Sequence, residues 1–245
     1  MLDDATFNEF EQIYATDLVY IKDCWKLCGN AHCCGFFPYK ENFNVIGKTK
    51  FHELPLFPGE YEFLQSKGWW SQFGDADHKV ITYPIDHRTL RVETMVSRKP
   101  MCACNHDTRL TVCRLYPLLP QFDLNGKLIS TRSFGIFEEF EKIEGLDPAC
   151  KVSSIPFHQM QAFLDLCSCI SKSPLRLFYL SAYALAVDHV RDRIVDAKIA
   201  RGSQTAFTIF EGMLLFRKLV NDDDLKPQLI ELADLFEDRY GAIFD

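Results

Sequence analysis

Seven of the ten cysteines in this 245-residue chain fall in two short stretches, 24–34 and 102–113. The first reads Cys24-Trp-Lys-Leu-Cys28-Gly-Asn-Ala-His32-Cys33-Cys34. The second reads Cys102-Ala-Cys104-Asn-His106 and, after six residues, Cys113-Arg114-Leu-Tyr116-Pro117. Packing does not require such density, and metal chemistry does. Zinc and iron–sulfur clusters are held by thiolates, commonly four to a site, that must converge within a few ångströms. A Cys-x3-Cys spacing on a helical turn sets Cys24 and Cys28 on one side, because residues four apart are neighbours on a helix face. Cys33 and Cys34 cannot easily point the same way, so one is expected to ligate while the other packs or serves a second metal. Closing 102–113 around the same ion would add folding energy, since the site does not exist in the unfolded chain.

The residues between the cysteines have two readings each. Arg109 and Arg114 would stabilise the negative charge of a thiolate-rich centre, or bind an anionic substrate; the plainer expectation is a surface ion pair with one of the 34 acidic residues. His32 and His106 stand next to ligands in sequence, and imidazole suits zinc and iron alike. Both are expected to support or flank the site rather than to ligate. Cys113 beside Arg114 also has the setting of a low-pKa nucleophile, a weaker reading beside seven clustered thiols. Cys150, Cys167 and Cys169 read as small buried hydrophobes. Other chemistries lack their residues. Cys24, Cys28 and Cys33 miss the Cys-x3-Cys-x2-Cys of radical enzymes. Gly47-Lys48-Thr49 has Asn42 where a phosphate loop needs its first glycine, and 221–224 lacks the glycine and glutamate of a calcium loop.

Composition bounds the setting. The chain is 47% hydrophobic and 25% charged, an ordinary globular balance. A net charge of −7 argues against nucleic acid held mainly by charge. The longest apolar run, 178–187, is about half of the roughly 20 residues that cross a bilayer, so no membrane span is expected. The acidic, amphipathic N-terminus has no secretory pattern. A cytoplasmic, reducing compartment follows, where clustered cysteines bind metal more often than they form disulfides.

The elements that must position these residues suggest an α+β fold, with short β-hairpins in a cysteine-rich N-terminal half and a helical C-terminal half. Residues 4–27 read as a helix with Phe7, Phe10, Ile13 and Tyr14 on one face and Asp3 or Asp4 as cap. A short helix is expected from Gly59. Hairpins are expected from 79–85 with 90–97, and from 115–124 with 127–131 about Asn125-Gly126. Pro117 and Pro120 make 115–124 an edge strand or extended loop. Helices follow near 157–171, 175–200, 204–220 and 226–240, the second almost wholly apolar and therefore central. The organisation expected is a metal-binding region over 1–150 and a helical region over 151–245, packed as one unit. Trp25, Trp69 and Trp70 read as core or site-lining aromatics; adjacent Trp69 and Trp70 cannot both face the same way in regular structure, leaving one to meet a partner.

In order and type, the two cysteine stretches resemble the zinc- or iron-chelating cysteine-cluster domain family (YkgJ type) over roughly residues 20–130. That family's first motif is Cys-x3-Cys-x2-Cys-Cys. Its second is a cysteine pair followed by Arg-Pro-x2-Cys-Arg-x-aromatic-Pro. Cys24, Cys28, Cys33 and Cys34 match the first, with four residues instead of two before Cys33. Cys102 and Cys104 look like the pair; Arg109, Cys113, Arg114, Tyr116 and Pro117 match the rest, with Leu110 in place of proline. The stretch 54–64, with Glu60 or Glu62, resembles the short acidic helix between the family's motifs. The resemblance implies zinc or an iron–sulfur cluster as cofactor, of the 4Fe–4S type if iron. Relatives that methylate flagellin lysines carry such a cluster, so it also implies an alternative: an iron–sulfur-dependent enzyme such as a protein-lysine methyltransferase.

Overall fold

The computed structural model describes residues 2–21, 40–48, 52–98, 105–133, 135–146, 152, 154–196, 201, 203–215 and 222–244. Among these, eight α-helices and two small antiparallel sheets make an α+β fold. Helix α1 (Asp4–Ala15) starts where expected: the Asp3 carboxylate accepts from the Thr6 amide at 2.8 Å, and Phe10, Ile13 and Tyr14 are buried. It stops much earlier than residue 27. Thr16 is extended, and the carbonyls of Thr16 and Leu18 are taken by arginine side chains rather than by helical amides.

Strand β1 (His52–Leu56) leads into helix α2 (Glu60–Ser66), then a 3-10 turn over Trp69–Phe73. Strands β2 (Asp77–Ile85) and β3 (Arg88–Ser97) form the first hairpin. The sheet order is β1-β3-β2, with Leu54 opposite Met95 and Ile81 opposite Val92. The connection is tighter than expected, only Asp86 and His87. Asp86 takes φ 67° and its carboxylate accepts from the Arg88 amide, an arrangement aspartate tolerates better than most residues. β1 was hidden in the sequence by Pro55, which an edge strand accepts because one side of it carries no ladder.

Helix α3 (Thr111–Leu115) was not foreseen; it lies just before what reads as a strand over 115–124 and shares only Leu115 with it. Strands β4 (Leu118–Phe122) and β5 (Leu128–Ser133) then make the second hairpin. Its loop is longer than a two-residue turn: the Asp123 side chain accepts from the amides of Asn125 and Lys127, and Gly126 supplies φ 76°. Helix α4 (Ile136–Glu144), not foreseen, precedes α5 (Met160–Ile170), α6 (Pro174–Asp196), α7 (Gln204–Leu215) and α8 (Leu225–Tyr240). No helix among the described residues is long and apolar enough to cross a membrane.

Helix α6 is central because it feeds three apolar clusters. Leu180 joins Phe10, Phe63, Leu115 and Phe163 in the first. Leu177 and Phe178 join Ile85, Leu90, Leu229 and Phe236 in the second. Val190 and Ile194 join Phe43, Phe140, Phe207 and Phe210 in the third. Burying a large apolar side chain contributes about 1.5–3 kcal/mol, so this helix ties the hairpins to the C-terminal helices.

Candidate metal centre

Of the seven cysteines expected to ligate, Cys113 lies within the described residues. Cys24, Cys28, Cys33, Cys34, Cys102 and Cys104 lie outside them, as do Trp25, His32 and Cys150. Cys113 sits half-buried on α3, its thiol in no disulfide. No group of three or more His, Cys, Asp or Glu side chains that could hold a metal occurs among the described residues. Cys167 matches its expectation as a small core residue: it is buried, and burial pushes its thiol up to about 12. Cys169 is half-buried, and burial raises its thiol as well.

What the structure does describe is the chain on either side of the two motifs. Residues 16–20 run up to the first motif, and residues 105–116 follow Cys104 and contain Cys113. These segments are bolted together. The Arg114 guanidinium, 2% exposed, donates to the Thr16 carbonyl at 2.8 Å, to the Arg109 carbonyl at 3.2 Å and to the Asp107 carbonyl. Arg109, also buried, donates to the carbonyls of Leu18 and His106 and lies 2.9 Å from the His106 ring nitrogen Nδ1. The Tyr20 hydroxyl donates to the Leu115 carbonyl at 2.9 Å. The planar fork of arginine suits this work, since its several donors span carbonyls that one ammonium cannot reach together.

Both arginines are interior, whereas the plainer sequence expectation puts them at the surface. They are interior clamps on backbone. Burial, and next the neighbouring Arg109, push the Arg114 guanidinium down to about 10. Burial and then Arg109 likewise lower the His106 imidazole, which favours its neutral form.

A carboxylate completes the arrangement from behind. Glu60, fully buried at the start of α2, accepts four hydrogen bonds: from the Tyr14 hydroxyl at 2.8 Å, the Phe57 amide at 2.9 Å, and the Thr111 amide and hydroxyl at 2.7 Å each. It thereby caps α3, whose own N-cap residue Leu110 has no side-chain acceptor. The Arg114 guanidinium lies 4.7 Å over the Tyr14 ring, joining clamp and carboxylate through one aromatic. Burial first, and then the Glu60 carboxylate, hold the Tyr14 phenol well above its usual range.

Two further side chains pin the ends of the motif segments. Gln72 accepts from the Asn105 amide at 2.9 Å and the Thr108 hydroxyl at 2.7 Å, and donates to the Thr108 carbonyl at 3.1 Å. On the far side of the first motif, Glu211 of α7 accepts from the amides of Asn44, Val45 and Ile46 at 2.6–2.9 Å. Sequence reasoning did not find Glu211 or Gln72, because nothing local marks partners 167 or 36 residues away.

The adjacent tryptophans both pack inward. A 3-10 turn separates neighbours by about 120°, which sends Trp69 onto Tyr14 and Phe63 and Trp70 onto Tyr61 and Phe73. No protein-family model, curated protein or solved structure matches the chain.

Proposed function

We propose that this chain is a metal-binding protein whose two cysteine stretches jointly hold zinc or an iron–sulfur cluster. Ligands would be drawn from Cys24, Cys28, Cys33 and Cys34 on one side and from Cys102, Cys104 and Cys113 on the other. Zinc would supply a closed structural site; an iron–sulfur cluster would supply a one-electron centre.

One arrangement carries this reading: Arg114 and Arg109 fasten the stretch before Cys24 to the stretch around Cys113. Leu18 stands six residues before Cys24, a reach of about 20 Å for extended chain, and Asn105 adjoins Cys104. Cys24 and Cys104 thus each stand a short length of chain from the same junction, which supports a shared site. The electrostatics agree. Arg114 is buried and forms no salt bridge among the described residues, and the nearby Glu60 carboxylate offsets only part of the cost of burying its charge, since burial still pushes its guanidinium down to about 10. A centre of several thiolates carries net negative charge and would offset it.

Anaerobic purification followed by metal and sulfide analysis and a visible spectrum tests the proposal. Iron with acid-labile sulfide and broad visible absorption identifies a cluster, and a colourless protein with stoichiometric zinc identifies a zinc site. Protein with neither metal, all of whose thiols react freely, overturns it.

A further inference from the structure

We infer that Glu60 is a positioning residue for the proposed metal centre, setting the placement of Cys113 without touching the metal. The inference rests on the metal-binding reading above and adds to it a residue with no sulfur and no imidazole.

Helix α3 has only five residues, too few to hold itself together in water. Its orientation must come from outside, and Glu60 supplies much of that hold at its first residue. The carboxylate takes both the amide and the hydroxyl of Thr111, two residues before Cys113. The same group takes the Tyr14 hydroxyl from α1 and the Phe57 amide at the end of β1. Three segments far apart in sequence therefore meet on one fully buried side chain. All four partners are donors, so the site suits a carboxylate, which only accepts, better than any neutral isostere. A glutamine would turn its amide hydrogens toward at least one of those donors. Tyr14 also carries the Arg114 guanidinium on its ring, so a shift at Glu60 passes to the clamp that fixes Thr16. Groups that orient metal ligands typically affect metal affinity by about 10–100-fold when altered.

The test is an EDTA challenge of the anaerobically purified full-length protein, with retained metal counted over time by elemental analysis. Three proteins are compared: wild type, Glu60→Gln and Arg88→Met. Arg88 ties the first hairpin to Asp234 and Glu237 of α8, away from Cys113, so its loss reports fold destabilisation alone. The expected result is metal release at least about tenfold faster in Glu60→Gln, with Arg88→Met close to wild type. Equal release from Glu60→Gln and wild type overturns the role of Glu60 while leaving metal binding intact, as does Arg88→Met releasing as fast as Glu60→Gln. Wild type that carries no metal overturns the underlying reading, and the inference with it. Should Glu60→Gln fail to fold, Tyr14→Phe removes one of the four donors and keeps the ring. It is expected to speed release by a smaller factor, and an unchanged rate there also overturns the inference.

Discussion

The guanidinium of Arg114 donates to the carbonyl of Thr16 at 2.8 Å, across 98 residues of chain. The bond joins the end of the first helix to the segment that carries Cys113. An arginine two per cent exposed, spending its donors on three carbonyls, is a large commitment of buried charge to one junction.

Removing that fork should be severe. Arg114→Met keeps much of the apolar stem but leaves three carbonyls without their donor. Only the bond to the Arg109 carbonyl is fully buried and the other two are part-buried; since an unsatisfied buried group costs about 1–3 kcal/mol, a loss on the order of 2 kcal/mol is expected. The urea unfolding midpoint reports it. Arg114→Lys should recover only part, since one ammonium cannot span the same carbonyls.

Glu211→Gln should loosen the far side of the first motif. Its carboxylate satisfies three consecutive amides at 44–46, and an amide group cannot accept at both ends. Hydrogen exchange at Asn44, Val45 and Ile46 should accelerate at least about tenfold, corresponding to one hydrogen bond to a charged group at about 1.5–3 kcal/mol. Unchanged exchange there would show that other contacts hold the turn.

Stability should fall at alkaline pH. Cys167 is raised from 9.0 to about 12 by burial, so the folded state keeps a proton that the unfolded state releases. Its contribution is fully present below pH 9 and is lost as pH rises from 9 toward 12. Tyr14, also raised, acts in the same direction above pH 10. Arg114, lowered to about 10, works against them. Urea midpoints between pH 8 and 11 should therefore decline less steeply in Cys167→Ala than in wild type. Parallel profiles would assign the decline to other groups.

How much of this was legible in the sequence depends on how local each cause is. Asn125-Gly126 announced its hairpin, and Pro174 and Pro227 marked their helices, because turn and cap chemistry is decided within a few residues. Ala15 as a helix end was not legible: the carbonyls beyond it are claimed by Arg109 and Arg114, about 90 residues on. Helix α3 was not foreseen, because its cap, Glu60, comes from 51 residues away. The Trp69–Trp70 pair was expected to split between core and solvent; the rings do point apart, but each meets its own aromatic partners, Tyr14 and Phe63 for one and Tyr61 and Phe73 for the other, which no local signal announces. For the candidate site, the two cysteine stretches stand out in the sequence as the proposed ligands. Of its supports, Tyr14 was legible as a core-facing residue and Glu60 as one of two candidates without a partner; Gln72 and Glu211 were not, since a side chain that accepts from distant amides leaves no periodic trace.

The most direct measurement of a shared centre is cysteine alkylation mapped by mass spectrometry on the native protein, before and after its metal is removed. Protection of cysteines in both 24–34 and 102–113, lost together when the metal leaves, is the expected result. Protection confined to one stretch, or thiols in both that react at the same rate with and without metal, would contradict a joint site.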